Sequence, residues 1–347
     1  MELSELGLDG WFDDLAREAC KPEHRIARVT VVDRGWYVVR NEDGEVSARA
    51  TGRFLHSTES TSDMPCVGDW ACVHYQDEDN SASIHAILPR KSSLRRKSVG
   101  KNIEFQMIAA NIDVAFIVQS CHYDFNVSRL ERYLVMVNKG HVEPVLVLTK
   151  TDLVSAEELE QLISSIRQAG IRTRIIALSN VTGDGLDQIQ ELMGLGKTFC
   201  LLGSSGVGKT TLINRLVGDD ALKTRAVSDS GEGRHTTVRR QLIVLEQGGM
   251  IIDTPGMREV GLFDASEGMD ENFDDIQALA LTCRFGNCSH VNEPGCAVVK
   301  AIEDGDLQSE HYENYVKLKK EAETSEKKYS SKRKKGKTPT KRGRVKL

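Results

Sequence analysis

The stretch Gly203-Ser204-Ser205-Gly206-Val207-Gly208-Lys209-Thr210 follows an apolar run, Thr198–Leu202, and opens a helical pattern, Lys209–Leu216. Strand, glycine-rich turn and helix in that order, with the spacing G-x-x-x-x-G-K-[ST], make a phosphate-binding loop. Glycines let the backbone wrap with its N–H groups inward, and the helix N-terminus adds a positive dipole. Lys209 would reach the β- and γ-phosphates of a nucleotide, Thr210 would ligate Mg²⁺, and Thr211 belongs to the same nucleotide-binding stretch. The alternative is a fortuitous glycine-rich turn, and the flanking strand and helix speak against it.

Around this loop, from about Asn102 to Met257, apolar strands alternate with amphipathic helices. Strands are expected at Val114–Gln119, Pro144–Thr149, Thr173–Leu178, Thr198–Leu202, Gln241–Leu245 and Met250–Asp253. Helices are expected at Ser128–Asn138, Glu157–Ala169, Leu186–Met193 and Lys209–Leu216. Continuous apolar strands separated by such helices mean a mostly parallel sheet covered on both faces, an α/β domain.

A phosphate loop alone does not choose the base. Guanine offers N1–H and an exocyclic amine to a carboxylate, and adenine does not. Thr149-Lys150-Thr151-Asp152 ends an expected strand, where ligands bind in open α/β sheets. Asp152 would take the guanine edge and the Lys150 stem would pack on the base plane. The segment resembles the N-K-x-D motif of translation-factor-type GTPases, with Thr149 in place of Asn. Thr keeps one hydrogen bond toward the phosphate loop but not the amide's two-sided bridge. Ser179-Asn180-Val181-Thr182-Gly183 loosely resembles the S-A-K base-contacting loop. Asp253-Thr254-Pro255-Gly256 resembles D-x-x-G, with Asp253 holding Mg²⁺ through water and the Gly256 N–H meeting the γ-phosphate. Between lies Gly231-Glu232-Gly233-Arg234-His235-Thr236-Thr237, a polar loop suited to a mobile switch, in which Thr236 or Thr237 would complete the Mg²⁺ shell. Ordinary small GTPases run from phosphate loop through switch to base motifs. Here the base motifs come first, so the order is that of a circularly permuted GTPase.

Upstream, Ile26–Val32, Trp36–Arg40, Val46–Thr51, Asp69–Tyr75 and Ser83–Leu88 read as five short strands separated by turn chemistry such as Asn41-Glu42-Asp43-Gly44. Five strands in so short a span suggest a small closed barrel of OB-fold type, and an SH3-like barrel would read similarly. A basic linker follows, with Arg90, Lys91, Arg95, Arg96, Lys97 and Lys101, readable as a solvated connector or as a phosphate-backbone contact. Downstream, Cys283, Cys288, His290 and Cys296 offer three thiolates and an imidazole within 14 residues. Four protein donors of this kind leave no open position, so they predict one structural Zn²⁺ per chain.

The chain has 347 residues and a net charge of −5, but that average hides an asymmetry. From Lys327 to Leu347 there are 11 Lys or Arg and no acid, leaving 35 basic against 51 acidic side chains, a net of −16, before it. No apolar run approaches the ~20 residues of a membrane span. The other cysteines are scattered singly, which reads as a reducing cytoplasm rather than a disulfide framework.

The five-strand barrel, the permuted motifs with Gly203–Thr210 and Arg234-His235-Thr236-Thr237, and the Cys/His cluster together resemble the bacterial ribosome-small-subunit-dependent GTPase A family, over about residues 25–325. The resemblance implies a multidomain chain: acidic leader 1–22, OB-fold RNA-binding barrel 23–90, basic linker 91–101, circularly permuted P-loop GTPase domain 102–262, mainly α-helical zinc-binding domain 263–326 and disordered basic tail 327–347. It implies subunit-stimulated hydrolysis of GTP to GDP late in maturation of the small (30S) ribosomal subunit, with contacts to 16S rRNA, and a cytoplasmic, monomeric protein with no membrane partner. Nucleotide contacts are expected from Thr149, Lys150, Asp152, Ser179, Gly203–Thr211, Asp253 and Gly256, and magnesium contacts from Thr210, Thr236, Thr237 and Asp253. The zinc ligands map onto Cys283, Cys288, His290 and Cys296. Where many GTPases place a water-orienting Gln after D-x-x-G this chain has Met257, so intrinsic hydrolysis is expected to be slow and His235 is the catalytic candidate. Two other readings stay open: an rRNA-binding scaffold in which GTP is a slow regulatory ligand, and a small-molecule kinase, which the base and switch motifs disfavour.

Overall fold

A computed structural model gives the fold; it describes residues 1–218, 240–253 and 269–336, apart from positions 34, 59, 77–79, 98–104, 124, 247, 270, 271 and 292. The leader carries helix α1 (Gly10–Ala19), whose first turn is capped by the Asp9 carboxylate accepting from the Phe12 N–H. Its Phe12 is buried against Trp70, with ring centroids 5.9 Å apart.

All five barrel strands form: β1 (Arg25–Asp33), β2 (Trp36–Asn41), β3 (Gly44–Ala50), β4 (Trp70–Gln76) and β5 (Ser81–Ile87), with helix α2 (Gly52–Ser57) between β3 and β4. The order β1-β2-β3-β5-β4 closes because β4 pairs back onto β1, and β3–β5 is the parallel pair. That closure is the OB-type arrangement. Alternate residues fill the interior, among them Val29, Tyr37, Val39, Val73 and Ile84.

The basic linker is partly sheet. Strand β6 (Ser93–Lys97) pairs antiparallel with β7 (Phe105–Ala110), and Leu94 is buried. Arg90 is not solvated either: its guanidinium makes bonds of 2.7 and 2.8 Å to buried Asp69 and donates to the Ser62 and Met64 carbonyls. Lys91 pairs with Asp9.

The GTPase domain then runs β8 (Val114–Ser120), α3 (Val127–Lys139), β9 (Glu143–Thr149), α4 (Ala156–Gln168), β10 (Arg174–Ala177), α5 (Leu186–Leu192), β11 (Thr198–Leu202), α6 (Lys209–Val217), β12 (Arg240–Val244) and β13 (Met250–Asp253). Strand order is β10-β9-β8-β11-β13-β12, parallel except for β12. One face buries Ile189, Leu212, Ile213 and Leu216 of α5 and α6, the other Leu130, Tyr133, Leu134 and Ile166 of α3 and α4. A bulge between Val29 and Val31 shifts β1 so that Val31 and Val32 also pair with β12, making barrel and GTPase sheet continuous.

Arg28 closes this junction. It is 1% exposed and donates to carbonyls of Leu6, Gly68 and Asn111 and to Thr198 Oγ1, tying leader, barrel and GTPase domain together. Burial pushes its pKa down to about 10. Gly68 is obligatory beside it: φ is +93°, and a Cβ would sit 2.0 Å from the Ala110 carbonyl oxygen.

One expectation about the cysteines is corrected. Cys20, at the end of α1, is joined to Cys72 on β4 by a disulfide spanning 52 residues. Sequence distance concealed the pair; the packing of α1 on β4 brings it together. A loop of that length contributes about 2–4 kcal/mol to stability through the unfolded chain. Reductant is therefore expected to lower the unfolding midpoint of the wild type and leave that of Cys20→Ser unmoved. Equal shifts in both proteins would count against this.

Among the described residues three further helices follow: α7 (Asp274–Leu281), α8 (Ala297–Asp304) and α9 (Ser309–Gly336). The expected disordered tail is thus helical through Gly336, while 337–347 lie outside the described residues. Lys and Arg have high helix propensity, so a helix nucleated by the packed turns of 309–322 propagates into them. His311, 4% exposed, lies between Glu131 of α3 and Asp275 of α7, Asn314 donates to Glu131, and Arg132 grips Glu321 with bonds of 2.8 and 3.1 Å. Burial works against a proton on His311, but the two carboxylates outweigh it and raise its pKa to about 9. A raised pKa contributes stability that is complete below about pH 6.5 and lost as pH rises through about 9. Unfolding free energy should fall across that window in the wild type, and His311→Gln should lack this part of the slope. An identical profile in both would refute the assignment.

Candidate functional site

The C-terminal ends of β9, β10, β11 and β13 converge at one edge of the sheet, and the expected site residues sit there. Gly203 leaves β11 at φ +143°, and a Cβ on it would meet the Val118 carbonyl oxygen at 2.2 Å. Backbone, not side chain, must fill that space. Lys209 opens α6 and donates to the Gly203 and Ser204 carbonyls at 2.7 and 2.5 Å. Burial lowers its pKa and raises that of Asp253 at the end of β13; each charge opposes the other's shift. The two partly desolvated charges feel each other's field at the phosphate loop. Thr210 and Thr211 are exposed on the first turn of α6.

The base loops are bound to this one. The Thr149 hydroxyl donates to the Val207 carbonyl at 2.6 Å, the single bond expected of Thr there. Lys150 adopts φ +61°, which turns the chain from β9 into a short helical turn, Thr151–Leu153. Asp152 on that turn is exposed, and its Oδ1 accepts from buried Ser179 Oγ at 2.5 Å. Ser179 Oγ in turn accepts the N–H groups of Val181 and Thr182, each at 3.1 Å. The structure brings together Thr149, Lys150, Asp152, Ser179, Gly203–Thr211 and Asp253. His235, Thr236, Thr237, Gly256 and Met257 lie outside the described residues.

Two neighbours were not singled out from sequence. The Asn180 amide donates to the Gly208 carbonyl at 3.2 Å, and Arg129 of α3 donates to Ser204 Oγ at 2.8 Å. Asn180 lies in the Ser179–Gly183 loop, but nothing in its spacing tells its side chain's direction. Arg129 lies 75 positions from its partner.

The second cluster is Cys283, Cys288, His290 and Cys296, whose donor atoms all lie within 4.8 Å of one another. Both Cys283 Sγ and Cys296 Sγ stand 3.5 Å from His290 Nδ1, and the two sulfurs are 4.0 Å apart. Tetrahedral Zn²⁺ with bonds of about 2.3 Å to sulfur needs sulfurs about 3.8 Å apart, so the donor set fits. Desolvation opposes ionisation of Cys283, but the Ala297 and Val298 N–H groups hold its pKa down. Cys288 is pushed up to about 11, by desolvation first and by its neighbouring thiols. Sequence reading missed Glu293, whose carboxylate accepts from the Ser289 and Val291 N–H groups at 2.9 and 3.0 Å and shapes the His290 loop. The Ser289 hydroxyl first, then those two N–H bonds, hold its pKa down to about 2.

Residues 87–263 match the family described as RsgA GTPase. A protein of Lactiplantibacillus plantarum named small ribosomal subunit biogenesis GTPase RsgA 2 is 43% identical over 297 residues, 85% of this chain and 83% of the relative. The chain belongs to the RsgA GTPase family. A Bacteroides thetaiotaomicron relative named small ribosomal subunit biogenesis GTPase RsgA 1 is 37% identical over 346 residues, 98% of this chain and 96% of that one. The crystal structure of YjeQ from Thermotoga maritima superposes with a TM-score of 0.63 at 27% identity, covering 85% of this chain and 97% of that one. YloQ, described as a circularly permuted GTPase, gives 0.61 at 25% identity, covering 87% and 96%. As an RsgA-family protein the chain is a GTP hydrolase with a circularly permuted GTPase domain behind an OB-like barrel. Among the described residues no helix is long and apolar enough to cross a membrane.

Proposed function

We propose that this GTPase turns over GTP on the small ribosomal subunit and acts late in that subunit's maturation, in the bacterial cytoplasm and as a monomer. The observation that carries the reading is the meeting of a phosphate loop with two base loops at one sheet edge, tied by Thr149–Val207 and Ser179–Asp152. Asp152 reads the guanine edge, Lys150 covers the base plane and Lys209 neutralises the phosphates. Thr210, Asp253 and one of Thr236 and Thr237 would hold Mg²⁺, which would supply charge neutralisation at the transferring phosphoryl group. Gly256 lends its N–H to the γ-phosphate. With Met257 unable to orient water, His235 positions the attacking water when the subunit is bound.

The barrel and the basic C-terminal segment contact 16S rRNA, and Cys283, Cys288, His290 and Cys296 hold one structural Zn²⁺. The domain limits 23–90, 102–262 and 263–326 divide these roles. The body before residue 327 has a net charge of −16 and so no overall attraction for RNA; the basic linker and the tail supply it, and binding weakens with salt.

GTP and ATP turnover measured with and without purified small subunits tests the reading. Subunits are expected to stimulate GTP hydrolysis alone, and His235→Ala to lose the stimulation while keeping GTP affinity. Subunit binding without stimulation would favour the scaffold reading instead.

A further inference from the structure

Thr149 has one hydroxyl hydrogen, and its 2.6 Å bond to the Val207 carbonyl uses it. The next carbonyl of the phosphate loop, Gly208 O, is held from another strand end by Asn180 Nδ2 at 3.2 Å. A carbonyl oxygen only accepts, so the amide must present its NH₂ there, which turns Oδ1 away. That oxygen is buried with no hydrogen-bond partner among the described residues. A side chain kept for packing alone would avoid this penalty by swinging outward. Gly208 makes the approach possible: a Cβ on it would lie 2.9 Å from Asn180 Nδ2.

We propose that the role one asparagine would fill at position 149 is divided here. Thr149 holds Val207, Asn180 holds Gly208, and Asn180 is thereby a specificity-determining positioning residue for guanine. The proposal rests on the guanine-nucleotide reading above. Its physical chain is short. Asn180 follows Ser179, whose hydroxyl fixes Asp152, so the bond to Gly208 sets the distance between the phosphate loop and the base-reading carboxylate. Arg215 of α6 donates to the Val181 carbonyl at 3.1 Å and braces the same loop from the other side. Without the Asn180 bond, phosphate and base subsites are no longer held in one frame, and both affinity and discrimination fall.

The test is equilibrium binding of GDP, IDP and ADP to the full chain. IDP lacks the exocyclic amine, so the GDP/IDP ratio reports how well Asp152 is placed. Asn180→Ala is expected to weaken GDP about tenfold and to lower the GDP/IDP ratio. Thr149→Asn in the Asn180→Ala background is expected to recover most of the loss, because an amide at 149 can span both contacts. An Asn180→Ala protein within twofold of wild type for GDP, with its GDP/IDP ratio unchanged, overturns the proposal. So does a double variant that folds with the wild-type unfolding midpoint and recovers nothing. A wild type that binds GDP no better than ADP overturns the underlying nucleotide reading, and is told apart because it appears before any substitution.

Discussion

Asp152→Asn is expected to weaken GTP binding by about 100- to 10,000-fold, the loss of two charge-assisted hydrogen bonds of about 1.5–3 kcal/mol each. The same substitution should transfer preference to xanthosine triphosphate. Asp152 Oδ1 already accepts from Ser179 Oγ at 2.5 Å, and an Asn oxygen in that place accepts equally well. The NH₂ group then occupies the other position and faces the base. Guanine presents an amine there and is met by a second donor. Xanthine presents a carbonyl and is met by a partner. A site built around such pairing discriminates strongly because the wrong base leaves buried groups unpaired. Asp152 is exposed, so the exchange should leave the unfolding midpoint unchanged. Competition between GTP and xanthosine triphosphate in binding and turnover reads the result directly. A variant that still prefers GTP would remove Asp152 from the base site.

The parts of this molecule that were legible in the sequence are those specified by local chemistry. The phosphate loop is written in consecutive residues, the barrel strands in alternating apolar positions such as Val29 and Val39 or Val73 and Ile84, and the metal set in close spacing. The permutation was legible because it concerns order alone. What stayed hidden depends on where distant segments meet. Arg28 reads as an outward basic residue of a strand, yet it is fully buried and joins three parts of the chain. Arg90 was counted toward an RNA-facing charge patch, but Asp69 and two carbonyls use its guanidinium internally. That takes Arg90 out of the linker's basic patch. Cys20 and Cys72 gave no signal at all, since a pair 52 residues apart is defined only by the docking of α1 on β4.

Removal of metal from Cys283, Cys288, His290 and Cys296 is expected to open the segment from Thr282 to Cys296 while α9 stays docked. The two halves of the C-terminal region are held by different forces. Phe273, Ile276, Val298, Ala301, Leu318 and Ala322 are buried in the core shared with α3, and His311 and Arg132 add polar ties to the same helix. The ligand loops have less support: Leu281 is 89% exposed, Val291 64% and Phe285 44%, and their ties beyond the donor set are the Glu293 bonds and the Tyr312 hydroxyl, which donates to the His290 carbonyl at 3.0 Å. Most of their order then comes from the donor set, and structural Zn²⁺ sites of this kind contribute about 10–16 kcal/mol of apparent binding free energy near pH 7. That is as large as the whole stability of an ordinary domain, about 5–15 kcal/mol. Purified protein should carry one zinc per chain. A chelator or Cys288→Ser should abolish hydrogen-exchange protection of residues 282–296 and leave that of α6 and the first turns of α9 in place. Less than about half an equivalent of zinc in the wild type, or unchanged protection in Cys288→Ser, would falsify a structural metal here. Loss of protection throughout α9 would instead mean that the metal, and not the contact with α3, holds the helix.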